Sequence, residues 1–114
     1  MMTDAEIGDT VISSLIDHRK RKARLKFLTY QQKPIPEGLA EQVDLTEILL
    51  SGLTEKERYV IEGVYLDRKS ISTVTDGYAM RYRPDGIITE RRVMQIKAEA
   101  LRKLYWIMRG KTPA

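Results

Sequence analysis

From Thr89 to Met108 the chain repeats apolar residues at helical intervals, and this stretch constrains the fold more than any other. Val93, Ile96, Ala100, Leu104 and Ile107 fall three or four apart, whereas Arg91, Gln95, Ala98 and Arg102 fall on the other side. At about 3.6 residues per turn, such a pattern buries one face of a helix and wets the opposite one. Thr89 stands where an N-cap is expected, and Glu90 sits favourably in the first turn. Gly110 and Pro113 mark the end of the helix.

Earlier segments carry the same signal. Ile7, Val11 and Leu15 recur at i, i+4 and i+8, with Ile12, Ile16, Ala23 and Phe27 on a neighbouring stripe, so one long helix is expected from about Asp4 to Thr29. Within it Arg19-Lys20-Arg21-Lys22, extended by Arg24 and Lys26, puts charge on most sides over two turns, and this end is expected to be exposed. Pro34 and Pro36 then force a linker or sharp turn between Gln31 and Gly38. A second helix, from about Glu37 to Ser51, presents Leu39, Val43, Leu45, Ile48, Leu49 and Leu50, and Ser51-Gly52 ends it. The third opens on Thr54, three residues before Glu57, as a capping box requires; Val60, Ile61, Val64, Tyr65 and Leu66 form its buried side. Asp67-Arg68-Lys69 reads as a short turn.

The segment from Ser70 to about Tyr82 is ambiguous. Ile71, Val74, Tyr78 and Tyr82 fit a helix, but Asp76-Gly77 is a turn signal and Arg83-Pro84-Asp85-Gly86 a stronger one. A small β-hairpin pairing Tyr78–Tyr82 with Ile87–Thr89 is the alternative. The expected architecture is an all-α helical bundle in three parts. Residues 1–33 form an N-terminal basic helix, 34–52 a linker and second helix, and 53–114 a helix-turn-helix domain. The N-terminal helix either docks on that domain or mediates self-association, and Trp106 is expected to pack on the N-terminal helices or to mark a dimer or polymerase interface.

Composition narrows the function. None of the 114 residues is cysteine, which excludes disulfides, thiolate metal sites and cysteine nucleophiles and suits a reducing cytoplasm. Met1–Thr10 lacks the basic-then-apolar layout of a signal peptide, and no apolar run approaches the roughly 20 residues that span a bilayer. A cytoplasmic protein with no membrane partner is expected. His18 is the only histidine, so neither a metal site nor a Ser–His–Asp set can be argued. The glycines are scattered rather than gathered in a phosphate loop, and no carboxylates pair within an apolar stretch. The expectation is therefore no catalytic residues, no cofactor, no metal, and no enzyme. A formal charge of +4 suits a nucleic-acid partner.

A short helix, turn, helix, turn and longer final helix is a layout that can offer its last helix to the DNA major groove, about 12 Å wide. Its first residues then meet base edges: Thr89, Glu90, Arg91, Arg92 and Gln95, with Met94 among them. Arginine can donate twice to guanine, glutamine can pair with adenine, and glutamate can accept from cytosine. Lys69, Ser70, Arg81 and Arg83 lie near the ends of the preceding elements, where phosphate contacts position without specifying sequence. The basic run Arg19–Lys26 admits either a phosphate-binding role or a solvated helix with no partner.

The stretch Ile88-Thr89-Glu90-Arg91-Arg92-Val93-Met94-Gln95-Ile96-Lys97-Ala98-Glu99-Ala100-Leu101-Arg102-Lys103-Leu104 resembles the end of bacterial sigma factor region 4, and Leu53-Thr54-Glu55-Lys56-Glu57-Arg58-Tyr59-Val60-Ile61 resembles that region's first helix. The likeness covers roughly residues 53–105. In that family the final helix recognises the −35 promoter element. Arg92 and Gln95 match the family pattern; Glu90 stands where arginine is common, Arg91 where glutamate is, and Met94 replaces a second arginine. The segment Tyr78 to Ile87 is longer than the family's tight turn, and no counterpart of sigma region 2 is present in these residues. Small sigma-region-4-like regulators of phages and prophages are similar in size and layout. The resemblance implies transcription control in a bacterial host cell, through double-stranded DNA, RNA polymerase or both. A homodimer would suit a palindromic site. Two further readings stand beside it. One is an adaptor that contacts RNA polymerase or another regulator without reading DNA, which the altered charges at Glu90, Arg91 and Met94 favour. The other is a phage DNA-packaging or architectural protein, which predicts a ring or higher oligomer.

Overall fold

Thr3 opens the first helix: its hydroxyl accepts from the Glu6 amide at 3.2 Å and satisfies one of the orphan donors of the first turn. The computed structural model describes residues 3–83 and 88–110. It is all-α, with six α-helices and no strand among the described residues. They are α1 (Asp4–Ile16), α2 (His18–Tyr30), α3 (Leu39–Ser51), α4 (Glu55–Ile61), α5 (Ile71–Arg81) and α6 (Glu90–Arg109). A single π-helical turn, Glu62–Leu66, extends α4, closed by the Asp67 amide on the Glu62 carbonyl at 2.8 Å. No helix among the described residues is long and apolar enough to cross a membrane.

The long helix expected over Asp4 to Thr29 is two helices, broken at Asp17 (φ −105°, ψ 14°). The last carbonyls of α1 find partners across the break. The Arg21 guanidinium donates to the Ser13 and Ser14 carbonyls at 3.2 and 2.8 Å, a cation placed at the negative end of the α1 dipole. Below the break α2 lies on α3, and His18 is buried with Nε2 2.9 Å from Glu47 Oε1. The expected second stripe therefore does not form one face: Ile12 and Phe27 are exposed. Ile7, Val11 and Leu15 are buried, as their spacing requires.

Gly38 takes φ 84° ahead of α3, a conformation glycine adopts without strain, so that helix starts two residues later than expected. Val43, Leu49 and Leu50 face the core, while Leu45 and Ile48 point to solvent. At α4 the capping box is present in both directions, with the Glu57 amide to Thr54 at 3.2 Å and the Thr54 amide to Glu57 at 2.9 Å. Burial acts to raise the Glu57 pKa, but the Lys103 ammonium at 2.8 Å and the Thr54 bonds outweigh it and hold the carboxyl below its usual range.

Residues 78–81 form the last turn of α5 and Tyr82 caps it, which overturns the hairpin on the Tyr78–Tyr82 side; Ile87 and the Pro84-Asp85-Gly86 turn lie outside the described residues. Asp76-Gly77 sits inside the helix, and the Tyr59 hydroxyl occupies the space a Cβ at Gly77 would fill. Gly63 plays the same part for Val74, letting α5 approach the π turn.

α6 is the spine. Its first half gives Val93 and Ile96 to a core with Val60, Val74 and Tyr78 of α4 and α5. Its second half gives Ala100 and Leu104 to a core with Leu15, Leu49, Leu50 and Ile61. The N-terminal helix α1 thus docks on α6, and Arg109 of α6 pairs with Asp4 of α1 at 3.1 Å. One residue near the end of α6 departs from expectation. Ile107, assigned to the buried face, is 40% exposed and lies beside Gly52. The ring that packs against the core on this side belongs to Tyr105; Trp106 meets Tyr105 edge-on at 5.6 Å, with the Arg109 guanidinium over both rings.

Candidate nucleic-acid interface

Burial of Val93, Ile96, Ala100 and Leu104 fixes which way the rest of α6 points. Successive residues are rotated by about 100°, so Arg91, Gln95, Ala98 and Arg102 stand directly opposite the buried row. All four are exposed. Thr89 is spent locally: its hydroxyl caps α6 by accepting from the Arg92 amide at 3.2 Å. Glu90 follows in the first turn, and Met94, half-exposed, borders the face on that side.

Arg92 departs from this row. It lies on the flank towards α4, 3.5 Å from Gln95 Oε1 and 3.9 Å from Glu99, and lines a cleft of about 210 Å³ with Thr54, Glu57, Tyr78 and Lys103. Of the five residues predicted to meet bases, the fold therefore groups Arg91 and Gln95 at the centre, Glu90 at one edge and Arg92 at the other, with Thr89 as the cap beneath them.

The predicted phosphate contacts lie around the two ends of α5. Ser70 caps α5, its hydroxyl accepting from the Thr73 amide at 3.2 Å, and Lys69 precedes it, exposed. Lys69 and Arg81 line one cleft of about 200 Å³ between the π turn and α5, together with Tyr59, Glu62, Asp67 and Thr73. Arg81 is 3.3 Å from Glu55 and lies over the Tyr59 and Tyr82 rings at 5.5 and 5.8 Å, so it is partly engaged by the fold. Arg83, just beyond α5, is exposed.

Two features were not foreseen. Tyr59, Tyr78 and Tyr82 form an aromatic cluster, with centroids 4.7 to 6.2 Å apart, that fixes α5 against α4. Only Tyr78 and Tyr82 carried a sequence signal, through their i, i+4 spacing. The second feature is a network around Glu47, which gathers His18, Lys22 at 2.7 Å and Arg58 at 3.5 Å. The hydrogen bond from Lys22, then that with His18, lowers the Glu47 pKa to about 2 despite partial burial. No local pattern signals it, because Glu47 lies 25 residues from Lys22. Among the described residues no three His, Asp or Glu side chains come together in a way that could hold a metal ion.

No family model, curated protein or solved structure matches the chain.

Proposed function

We propose that the chain is a sequence-specific DNA-binding transcription regulator of phage or prophage type, reading the major groove with the helix that begins at Thr89. The observation that carries this reading is the exposed row Arg91, Gln95, Ala98 and Arg102 on α6, held outward by burial of the opposite face on α4 and α5. A helix supported in this way from behind can enter a groove about 12 Å wide without disturbing its own core. Arginine and glutamine at its centre have the donor and acceptor sets that distinguish guanine and adenine. The α5–α6 pair serves as the helix-turn-helix, and the likeness to sigma factor region 4 supports transcription as the context. Lys69, Ser70 and Arg83 supply phosphate contacts that set the register, with Arg81 sharing itself between Glu55 and the backbone.

The test is selection of preferred sequences from a randomised duplex pool by the wild type and by Arg91→Ala/Gln95→Ala. Both side chains are exposed, so the variant keeps its fold. It is expected to lose discrimination by about 1–3 kcal/mol per base contact removed. Identical selected sequences for the two proteins would refute α6 as the reading helix.

One observation favours a second reading. Met80 and Met94 are 70% and 50% exposed at the end of α5 and on α6, and exposed methionines suit a protein partner better than phosphate. In that case the same surface contacts RNA polymerase. Capture of polymerase subunits without DNA, lost on changing Met80 and Met94 to serine, would support it over groove reading.

A further inference from the structure

Helix α2 holds six cations between Arg19 and Lys26, and no acidic residue occurs from His18 to Pro36. The fold uses three of them. Arg19 pairs with Asp67 at 2.5 Å, Arg21 caps α1, and Lys22 pairs with Glu47. Lys20, Arg24 and Lys26 are exposed and have no ion pair among the described residues. At about 100° per residue, Lys20 and Arg24 share the side turned away from the buried His18, whereas Lys26 falls on the other side of the helix, with Arg19. Like charges at i, i+4, as in Lys20 with Arg24, work against a helix. The one buried side chain of α2 is His18, so little apolar burial offsets this repulsion. A helix that keeps such a row is suited to a polyanion.

The position of the row names the partner. The Arg19–Asp67 ion pair ties the first turn of α2 to the segment that carries Arg68, Lys69 and Ser70. Arg68 there is exposed and held at φ 54°. Lys20 follows Arg19 in that first turn, so the exposed cations of α2 begin beside the segment that ends the interface assigned to phosphate contact.

We infer that α2 is a second phosphate-binding element, whose Lys20 and Arg24 track the DNA backbone beside the site that α6 reads. This rests on the reading of α6 as a DNA-contacting helix. Phosphate contacts carry no sequence information, so α2 sets affinity and salt dependence and leaves sequence preference alone.

The experiment measures binding of the full chain to two duplexes with the same selected core, one minimal and one extended by about one helical turn (about 10 bp) on each side, between roughly 50 and 200 mM salt. For Lys20→Gln/Arg24→Gln the slope of log K against log salt should be shallower by about 2 on the extended duplex. It should be unchanged on the minimal one, and the selected sequence should be kept. The charge-preserving variant Lys20→Arg/Arg24→Lys should match the wild type. Should the double variant lose helical circular dichroism, the two single glutamine variants serve instead, each lowering the slope by about one. A wild-type slope for the glutamine variants on the extended duplex, while Arg91→Ala/Gln95→Ala loses sequence preference, overturns the role of α2 alone. Absence of wild-type binding to both duplexes at the lowest salt overturns the α6 reading and this one together.

Discussion

Glu47 links helices that the sequence keeps far apart. It receives Lys22 and His18 from α2 and reaches Arg58 at the end of α4, so one carboxylate holds the basic helix to the rest of the molecule. Its pKa of about 2 in the folded chain lies below the ordinary 4.5. The ionised form is therefore favoured by folding, and its contribution is complete above a pH of about 4.5 and lost as the pH falls towards about 2. The side chain is 33% exposed, and solvent screening limits the contribution to about 1 kcal/mol. Glu47→Gln is expected to lower stability by about that amount at neutral pH, with more than half of the difference gone near pH 3. Denaturant unfolding at the two pH values checks this, and an equal loss at both would contradict it. The partnership was not legible in the sequence, because what lowers this pKa is a helix that arrives from 25 residues away. The Thr54–Glu57 box was legible, since both partners lie within one turn and need no tertiary information.

Among the elements, α5 shows how packing overrides a local signal. Asp76-Gly77 reads as a turn, and glycine in a helix interior ordinarily weakens it by about 0.5–1 kcal/mol relative to alanine. Here Gly77 is the residue that admits the Tyr59 hydroxyl, and the Tyr59 ring is held by Tyr78 and Tyr82. Gly77→Ala should therefore destabilise, by about 1 kcal/mol or more as in an overpacked core, and Gly77→Ala/Tyr59→Phe should recover most of the loss. Chemical denaturation of the two single variants and the double variant forms the cycle that reads this coupling. A single Gly77→Ala variant more stable than the parent would remove the account. The break at Asp17 was hidden for a related reason. The Ile7, Val11 and Leu15 stripe fixes the burial of α1, but nothing in it marks where the helix ends. The end is set by Arg21 returning to the Ser13 and Ser14 carbonyls and by His18 meeting Glu47, both consequences of α2 lying on α3.

At the scale of the whole molecule, the radius of gyration is 15.7 Å, against about 13 Å for a compact chain of this length. The extents, 49 × 35 × 19 Å, describe a plate rather than a sphere. α6 runs through it as the shared wall of two cores, so its outward face is rigid by construction. That face was legible from periodicity, since Val93, Ile96, Ala100 and Leu104 determine what stands opposite them. The sideways placement of Arg92, above the cleft with Thr54 and Lys103, was not, because it depends on where the start of α4 comes to rest. The central claim is that α6 meets DNA with its Arg91 and Gln95 side. The most direct measurement is amide NMR of the isotope-labelled full chain titrated with a selected duplex. The account predicts the largest shifts in residues 89–98, a second set at 69–70, and little change in α1. Large shifts confined to α1 and α3, with the amides of residues 89–98 unmoved while the duplex is bound, would contradict it.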